Sequence, residues 1–186
     1  MGEEPIKQIQ NGMRSIIQEL RTDPYALETV FVSVISFAEK AKIWMPLTSI
    51  CDFNEIESIH CCNEKSDFKS ALICLMSDID RSVVKTTTEQ KGDWRPIIFL
   101  FTNSYNWEDA DIINHWDEKF KKRSKLIVVL SGDSTVSGEF CSISDTVVQF
   151  KNINFYNCTH FISDIGYEYK YDDSLANVLE NKINLF

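Results

Sequence analysis

Three groups of side chains in this sequence could do chemistry, and each points to a different kind. The first is Thr102-Asn103-Ser104, a hydroxyl, a carbonyl and a second hydroxyl directly after the apolar run Ile97-Ile98-Phe99-Leu100-Phe101. These are hard oxygen donors, and in open α/β sheets ligands bind beyond the carboxyl ends of strands. The second is His60-Cys61-Cys62, whose soft ligands could close around zinc with His115 or His160. No C-x-x-C spacing or partner pair supports that zinc site. The third is a dispersed set of carboxylates, Asp67, Glu108, Asp109 and Asp133, which could converge on Mg²⁺ if the fold brought them together.

Phosphate chemistry has no support. The sequence contains no G-x-G-x-x-G, G-x-x-x-x-G-K-[ST] or G-x-S-x-G, and only six glycines. His60, His115 and His160 are scattered along the sequence.

Positioning these groups requires a sheet. The run at 97–101 is apolar on both faces, as in a central strand covered by helices on each side. Residues 126–130 (LIVVL) and 146–150 (TVVQF) read as two more strands of that kind. Earlier, residues 28–38 alternate β-branched and aromatic side chains as a strand, and residues 41–47 form a second. The two-residue break between them demands an antiparallel hairpin, and Pro46 marks a sheet edge.

Helical periodicity runs through Ile6, Ile9, Met13, Ile16, Ile17 and Leu20, starting at Pro5 and ending before Thr22-Asp23-Pro24. It returns from a Ser66 cap through Phe68, Ala71, Leu72, Leu75, Ile79 and Val83, then from 107–109 through Ile112, Ile113, Trp116 and Phe120. Residues 136–143 are a weak helix or a loop. Two further helices are expected, one through Phe155, Cys158, Ile162 and Ile165 and a short one through Leu175, Val178, Leu179 and Ile183. Strand–helix alternation of this order implies a three-layer α/β/α, Rossmann-like domain over residues 1–186, with a mostly parallel sheet and one antiparallel edge strand.

The totals narrow the classes. A net charge of 19 − 28 = −9 disfavours nucleic-acid binding, which needs clustered cations. The basic run Lys119-Phe120-Lys121-Lys122-Arg123 complements a helix C-terminus instead. No apolar run approaches the ~20 residues that cross a bilayer, and the N-terminus lacks a positively flanked signal, so a cytoplasmic location is expected. Six cysteines in 186 residues do not make a disulfide scaffold, and Cys74 and Cys158 read as buried small hydrophobes.

Three stretches together carry a resemblance. Residues 11–48 include Gln18-Glu19-Leu20-Arg21-Thr22-Asp23-Pro24-Tyr25-Ala26-Leu27-Glu28, Val34-Ile35-Ser36-Phe37 and Pro46-Leu47-Thr48. Residues 79–96 run from Ile79-Asp80-Arg81 to Lys91-Gly92-Asp93-Trp94-Arg95-Pro96, and the third stretch ends Phe101-Thr102-Asn103. Together they resemble the von Willebrand factor A (vWA) domain of the bacterial TerY, or tellurium-resistance, type. Such domains usually hold a divalent cation at a metal-ion-dependent adhesion site, built from a D-x-S-x-S loop, a Thr loop and an Asp loop.

The resemblance implies a degenerate version of that site. Met-Gly-Glu-Glu-Pro-Ile matches the family's continuation after D-x-S-x-S, so the first, central strand and its loop would lie before Met1. Removing that strand would leave two apolar strands with open edges, unless the chain is longer, the sheet closes alone, or a partner supplies a strand. Ser66 is the nearest hydroxyl to the Thr position, and Asn103 replaces the Asp, removing a charge on which affinity depends. The expected metal set is therefore Ser66 and Asn103, with weak or no Mg²⁺ binding and no other cofactor.

The implied function is a non-catalytic protein-interaction scaffold of bacterial stress or tellurite-resistance systems. Its partner would be a protein, for example a kinase or phosphatase of the same system, and Asn103, Ser104, Tyr105, Asn106 and Trp107 would form the binding face. The alternative is a Mg²⁺-dependent enzyme or nucleotide binder on a similar sheet.

Overall fold

The computed structural model describes residues 2–54, 58–60, 66–103, 109–131 and 138–150. Helix α1 (Glu3–Leu20) carries Pro5 in its first turn, where a missing N–H costs nothing. Arg21 follows it and fastens its end, donating from Nε to the Ile50 carbonyl at 2.8 Å and from Nη2 to the Phe53 carbonyl. A short helix, α2 (Pro24–Thr29), comes next where the sequence reading placed only a break. Asp23 is its N-cap, accepting from the Tyr25 amide at 2.9 Å, and Pro24 takes the first helical position. The strand expected from residue 28 accordingly starts later.

Strands β1 (Phe31–Phe37) and β2 (Ala41–Ser49) form the expected antiparallel hairpin, with Phe37 opposite Ala41. Val32 pairs with Thr48 and Val34 with Met45, so Pro46 and Leu47 fall in a bulge opposite Ser33. Pro46 is accommodated there because a bulge frees it from donating to the ladder. Helix α1 covers one face of the hairpin, packing Met13 and Ile17 with Val32, Trp44, Met45 and Phe53.

Helix α3 (Phe68–Ser82) covers the hairpin too, and it reaches further. Its N-cap is Asp67, which accepts from the Ser70 amide at 3.3 Å; Ser66, expected in that role, lies one residue outside. Phe68, Ala71, Leu72, Met76 and Ile79 point into the main core, whose other members come from β4, α4 and α5. Phe37 of the hairpin and Ile98 and Leu100 of β3 (Ile97–Thr102) pack against this same cluster.

Helix α4 (Ala110–Lys119), β4 (Lys125–Ser131), α5 (Gly138–Ile143) and β5 (Thr146–Phe150) complete the described fold. Strand β4 pairs in parallel with β3 on one side and β5 on the other, in the order β3-β4-β5. Its Leu126, Val128 and Leu130 face the helices, while Ile127 and Val129 join Ile97, Phe99, Phe101 and Val148 on the opposite face. Trp116 is fully buried in α4 and donates its indole N–H to the Ile143 carbonyl at 3.0 Å. The helices expected beyond residue 150 lie outside the described residues.

Among the described residues β3 pairs with β4 alone, and β4 lies between β3 and β5. Among the described residues no ladder joins that sheet to the β1-β2 pair. The sequence pattern reports burial on both faces, and it does not report how many neighbours a strand has.

The hairpin is tied to α3 by polar contacts. Ser33 Oγ donates to Asp78 Oδ2 at 2.9 Å, Asp67 N donates to the Ala38 carbonyl at 2.7 Å, and Ala41 N donates to Ser70 Oγ at 2.8 Å. Asp78 is buried and also accepts from Arg81 and Ser82. Replacing it strands these donors, so Asp78→Ala is expected to destabilise the fold by about 2 kcal/mol or more. Ser33→Ala, which removes one neutral donor, is expected to cost about 1 kcal/mol. Urea denaturation of both variants measures the difference, and equal effects would refute the tether.

Candidate functional site

The polar segment after β3 begins at the strand's carboxyl end, where Thr102 is buried and Asn103 is exposed. Asn103 thus stands at the rim, directly beyond the carboxyl end of β3. The next described residue, Asp109, starts α4, and its Oδ1 accepts from the Ile112 amide at 3.2 Å. Ser104, Tyr105, Asn106 and Trp107, the rest of the expected binding face, lie outside the described residues. So do Glu108 and Asp133 of the carboxylate set, and Cys61, Cys62 and His160 of the zinc set.

The starts of α3 and α4 are joined by an ion pair. Lys69 Nζ lies 2.6 Å from Asp109 Oδ2. Hydrogen bonding to Asp109 raises the Lys69 ammonium above its ordinary value, and the charges of Asp109, Asp111 and Asp67 add to the rise. Reciprocally, the Lys69 hydrogen bond holds the Asp109 carboxyl below the usual carboxylate range, helped by the Ile112 amide. Two members of the proposed Mg²⁺ set, Asp67 and Asp109, therefore do lie near one cation, and that cation belongs to the chain. Among the described residues no group of three or more His, Cys, Asp or Glu is placed to hold a metal ion.

Ser66 is half-buried just ahead of Asp67. A groove of about 430 Å³ opens beside Lys69, between β2 and α3, lined by Ala41, Ile43, Asp67, Ile73 and Cys74. Burial pushes the Cys74 thiol up, which keeps it protonated and a poor ligand. His60 is exposed, and His115 is exposed beside the Phe120 ring. Asp80 pairs with Arg123 at 2.9 Å and Lys85 at 3.0 Å, with its carboxyl lowered by Arg123 first and Lys85 second. Part of the basic run at 119–123 is thus engaged in fastening α4 to α3.

Two residues were missed by the sequence reading. Lys69 carried a signal, since a cation in a helix's first turn opposes the macrodipole and needs a local anion to justify it. Trp94 stood only within the stretch that carries the resemblance, yet it is 74% exposed, the most exposed large hydrophobic among the described residues. Its loop is stapled rather than loose. Val84 N donates to Asp93 Oδ2 at 2.8 Å, Gly92 N to Thr86 Oγ1 at 3.1 Å, and Gln90 N to Thr87 Oγ1 at 3.1 Å. A Cβ on Gly92 would meet backbone atoms of Thr86, Val84 and Lys85 at 2.4 to 2.7 Å, so only glycine closes this loop.

No family model and no curated protein matches the sequence. Solved structures of proximal thread matrix protein 1 (PTMP1) from the mussel byssus do match the fold. Crystal form 2 gives a TM-score of 0.58 at 10% identity over 88% of this chain, and another structure gives 0.55 at 10% identity over 87%. A third, with a zinc-occupied MIDAS motif in that protein, gives 0.54 at 14% identity over 85%. This chain spans 43%, 41% and 43% of those longer chains, in the same order. At such identities the likeness concerns fold alone, and the fold is vWA-like: α/β, with a parallel three-stranded sheet and an antiparallel pair.

The Lys69–Asp109 pair makes a pH prediction whose sign is fixed by the two shifts. The depressed Asp109 contributes stability above the ordinary carboxylate range, and this is lost as pH falls through its lowered pKa. The raised Lys69 contributes below the ordinary lysine value and loses its contribution as pH rises through its raised pKa. Lys69→Met is expected to move the Asp109 titration upward, stopping short of the ordinary value because the Ile112 amide remains. Carboxyl NMR across the acid range reads this directly, and an unmoved Asp109 would sink the assignment.

Proposed function

We propose that this chain is a non-catalytic protein-interaction domain with weak or no divalent-metal binding at the carboxyl-end rim of its sheet. The observation that carries the reading is the Lys69–Asp109 ion pair, because it places a tethered ammonium among Asp67, Asp109 and Asp111. A second cation entering there would have to displace the first. Asn103, neutral and exposed beside this cluster in sequence order, adds a carbonyl oxygen but no charge. Affinity for Mg²⁺ scales with ligand charge, so the described rim offers it little.

The partner class is a protein. Exposed Trp94 on a prefolded loop supplies a large contact at low entropic cost, as interface anchors do. Asn103 with Ser104, Tyr105, Asn106 and Trp107 forms the proposed face at the other end of β3. The finer reading rests on the sequence resemblance to TerY-type domains: a cytoplasmic bacterial scaffold in tellurite or stress resistance, paired with a kinase or phosphatase of that system. In the mussel protein the zinc-occupied motif is that protein's own, and here the proposed site is its degenerate counterpart.

Calorimetric titration with Mg²⁺ and Mn²⁺ tests the metal claim. No saturable heat is expected below millimolar concentration, and tight binding lost in Asn103→Ala would overturn it. A panel of nucleotides and phosphoesters should pass unhydrolysed, and turnover on any of them would return the reading to an enzyme. Trp94→Ala should leave the unfolding free energy from urea denaturation within the ~0.5 kcal/mol typical of surface changes while weakening partner capture at least about tenfold.

A further inference from the structure

We propose that the surface around Trp94, at the amino-terminal end of the parallel sheet, docks a short acidic segment of a protein partner. This rests on the reading of Trp94 as an interface anchor and adds the partner's chemistry to it.

Two loops meet at this end. The loop before β3 carries Lys91, Trp94 and Arg95, and the loop before β4 carries Lys122 and Arg123. They are held side by side because Lys125 N donates to the Pro96 carbonyl at 2.9 Å, with Ile97 opposite Lys125 in the ladder. A chain of polar contacts also links them across the end of α3. Val84 and Asp93 bond each other twice, through Val84 N to Asp93 Oδ2 at 2.8 Å and Asp93 N to the Val84 carbonyl at 3.0 Å. Lys85, the next residue, and Arg123 both pair with Asp80. The two loops, and Trp94 with them, are therefore in place before any partner arrives.

The charge gathered here runs against that of the whole. Lys85, Lys91, Arg95, Lys122 and Arg123 share one end of a chain whose net charge is −9. Three carboxylates at this end are already engaged: Asp80 by Lys85 and Arg123, Asp93 by the Val84 amide, and Asp145 by the Leu126 amide at 2.8 Å. Glu89 is exposed on the loop before β3, as are Arg95 and, on the other loop, Lys122. Complementing a helix dipole explains a cation that ends α4, such as Lys119. It does not explain Lys91 and Arg95, which belong to a loop entering a strand.

The occupant follows from what lies amid these cations. Trp94 is 74% exposed, Val84 beside Asp93 is 43% exposed, and the Lys91 ammonium lies 5.8 Å from the centre of the Trp94 ring. A fitting segment carries carboxylates for the cations and one large apolar side chain for the ring. Nucleic acid fits less well, although a base could stack on Trp94. At physiological salt, screening confines attraction to about 8 Å, so a short peptide senses the local cations. A longer polyanion would run onto acidic surface.

The probe is a fluorescein-labelled peptide of about nine residues, Asp and Glu throughout with one central Leu, titrated with the whole chain and followed by anisotropy. Saturable binding is expected, weakened at least about fivefold by Arg95→Glu or Lys122→Glu and at least about tenfold by Trp94→Ala. The two charge reversals are independent, so if one variant fails to fold the other decides. Lys7→Glu changes the net charge equally but lies on α1, which packs on the hairpin, and should leave binding unchanged. No saturable binding overturns the proposal. So does a loss in Lys7→Glu equal to that in Arg95→Glu, which would mean total charge alone. An oligothymidylate of equal length that binds as tightly overturns it in favour of nucleic acid. Weakening by Trp94→Ala with none from either charge reversal overturns the acidic partner and keeps Trp94 as an anchor. Binding unmoved by all three variants removes this surface from the proposed function as well.

Discussion

Two sheets that share no strand ladder among the described residues depend on one helix to hold them in register. α3 does this with both kinds of force. Phe68 sits edge-on between Phe37 of the hairpin, at 6.3 Å, and Phe140 of α5, at 5.4 Å, so a single ring touches both halves of the fold. Polar contacts then set the angle. Asp78 reaches the hairpin, Lys69 reaches the start of α4, and Asp80 reaches Arg123 beyond its end. Aromatic packing supplies most of the energy but little direction, whereas the buried Asp78 bond supplies direction at modest net gain. Loss of either would leave the hairpin free to swing on the remaining contacts.

The same helix sets the character of the rim. Its first turn carries Asp67 as a cap and Lys69 as a cation, an arrangement that the macrodipole opposes for the lysine alone. Asp109 makes it favourable by approaching to 2.6 Å, and that carboxylate is itself fixed as the cap of α4. A structural device, the joining of two helix starts, therefore decides an electrostatic property of the place where an α/β sheet would present a ligand site.

Much of the architecture was legible. The apolar faces of α1, α3 and α4 and the runs in β3, β4 and β5 follow from periodicity, because packing helices onto strands requires it. The hairpin followed from the short link between residues 37 and 41. Helix α2 was missed although Asp23-Pro24 is a cap followed by a first-position proline, because β-branched residues just beyond drew the reading toward a strand. The place of Asn103 directly beyond the carboxyl end of β3 follows from the apolar run before it. Lys69–Asp109 was not legible, because forty residues separate the partners and only the fold brings α3 and α4 together.

A tethered ammonium and a divalent cation make different rims from the same carboxylates. A metal ion carries two charges and accepts a partner's carboxylate as a direct ligand, with strict octahedral geometry. Lysine carries one charge and three donors, one of which goes to Asp109. What remains can offer hydrogen bonds to an acceptor over a wide range of angles but cannot polarise it as strongly. On the proposed reading such a rim would favour adaptable, weaker recognition that chelators do not abolish. On that reading specificity then comes from shape, and the rigid presentation of Trp94 is what supplies it.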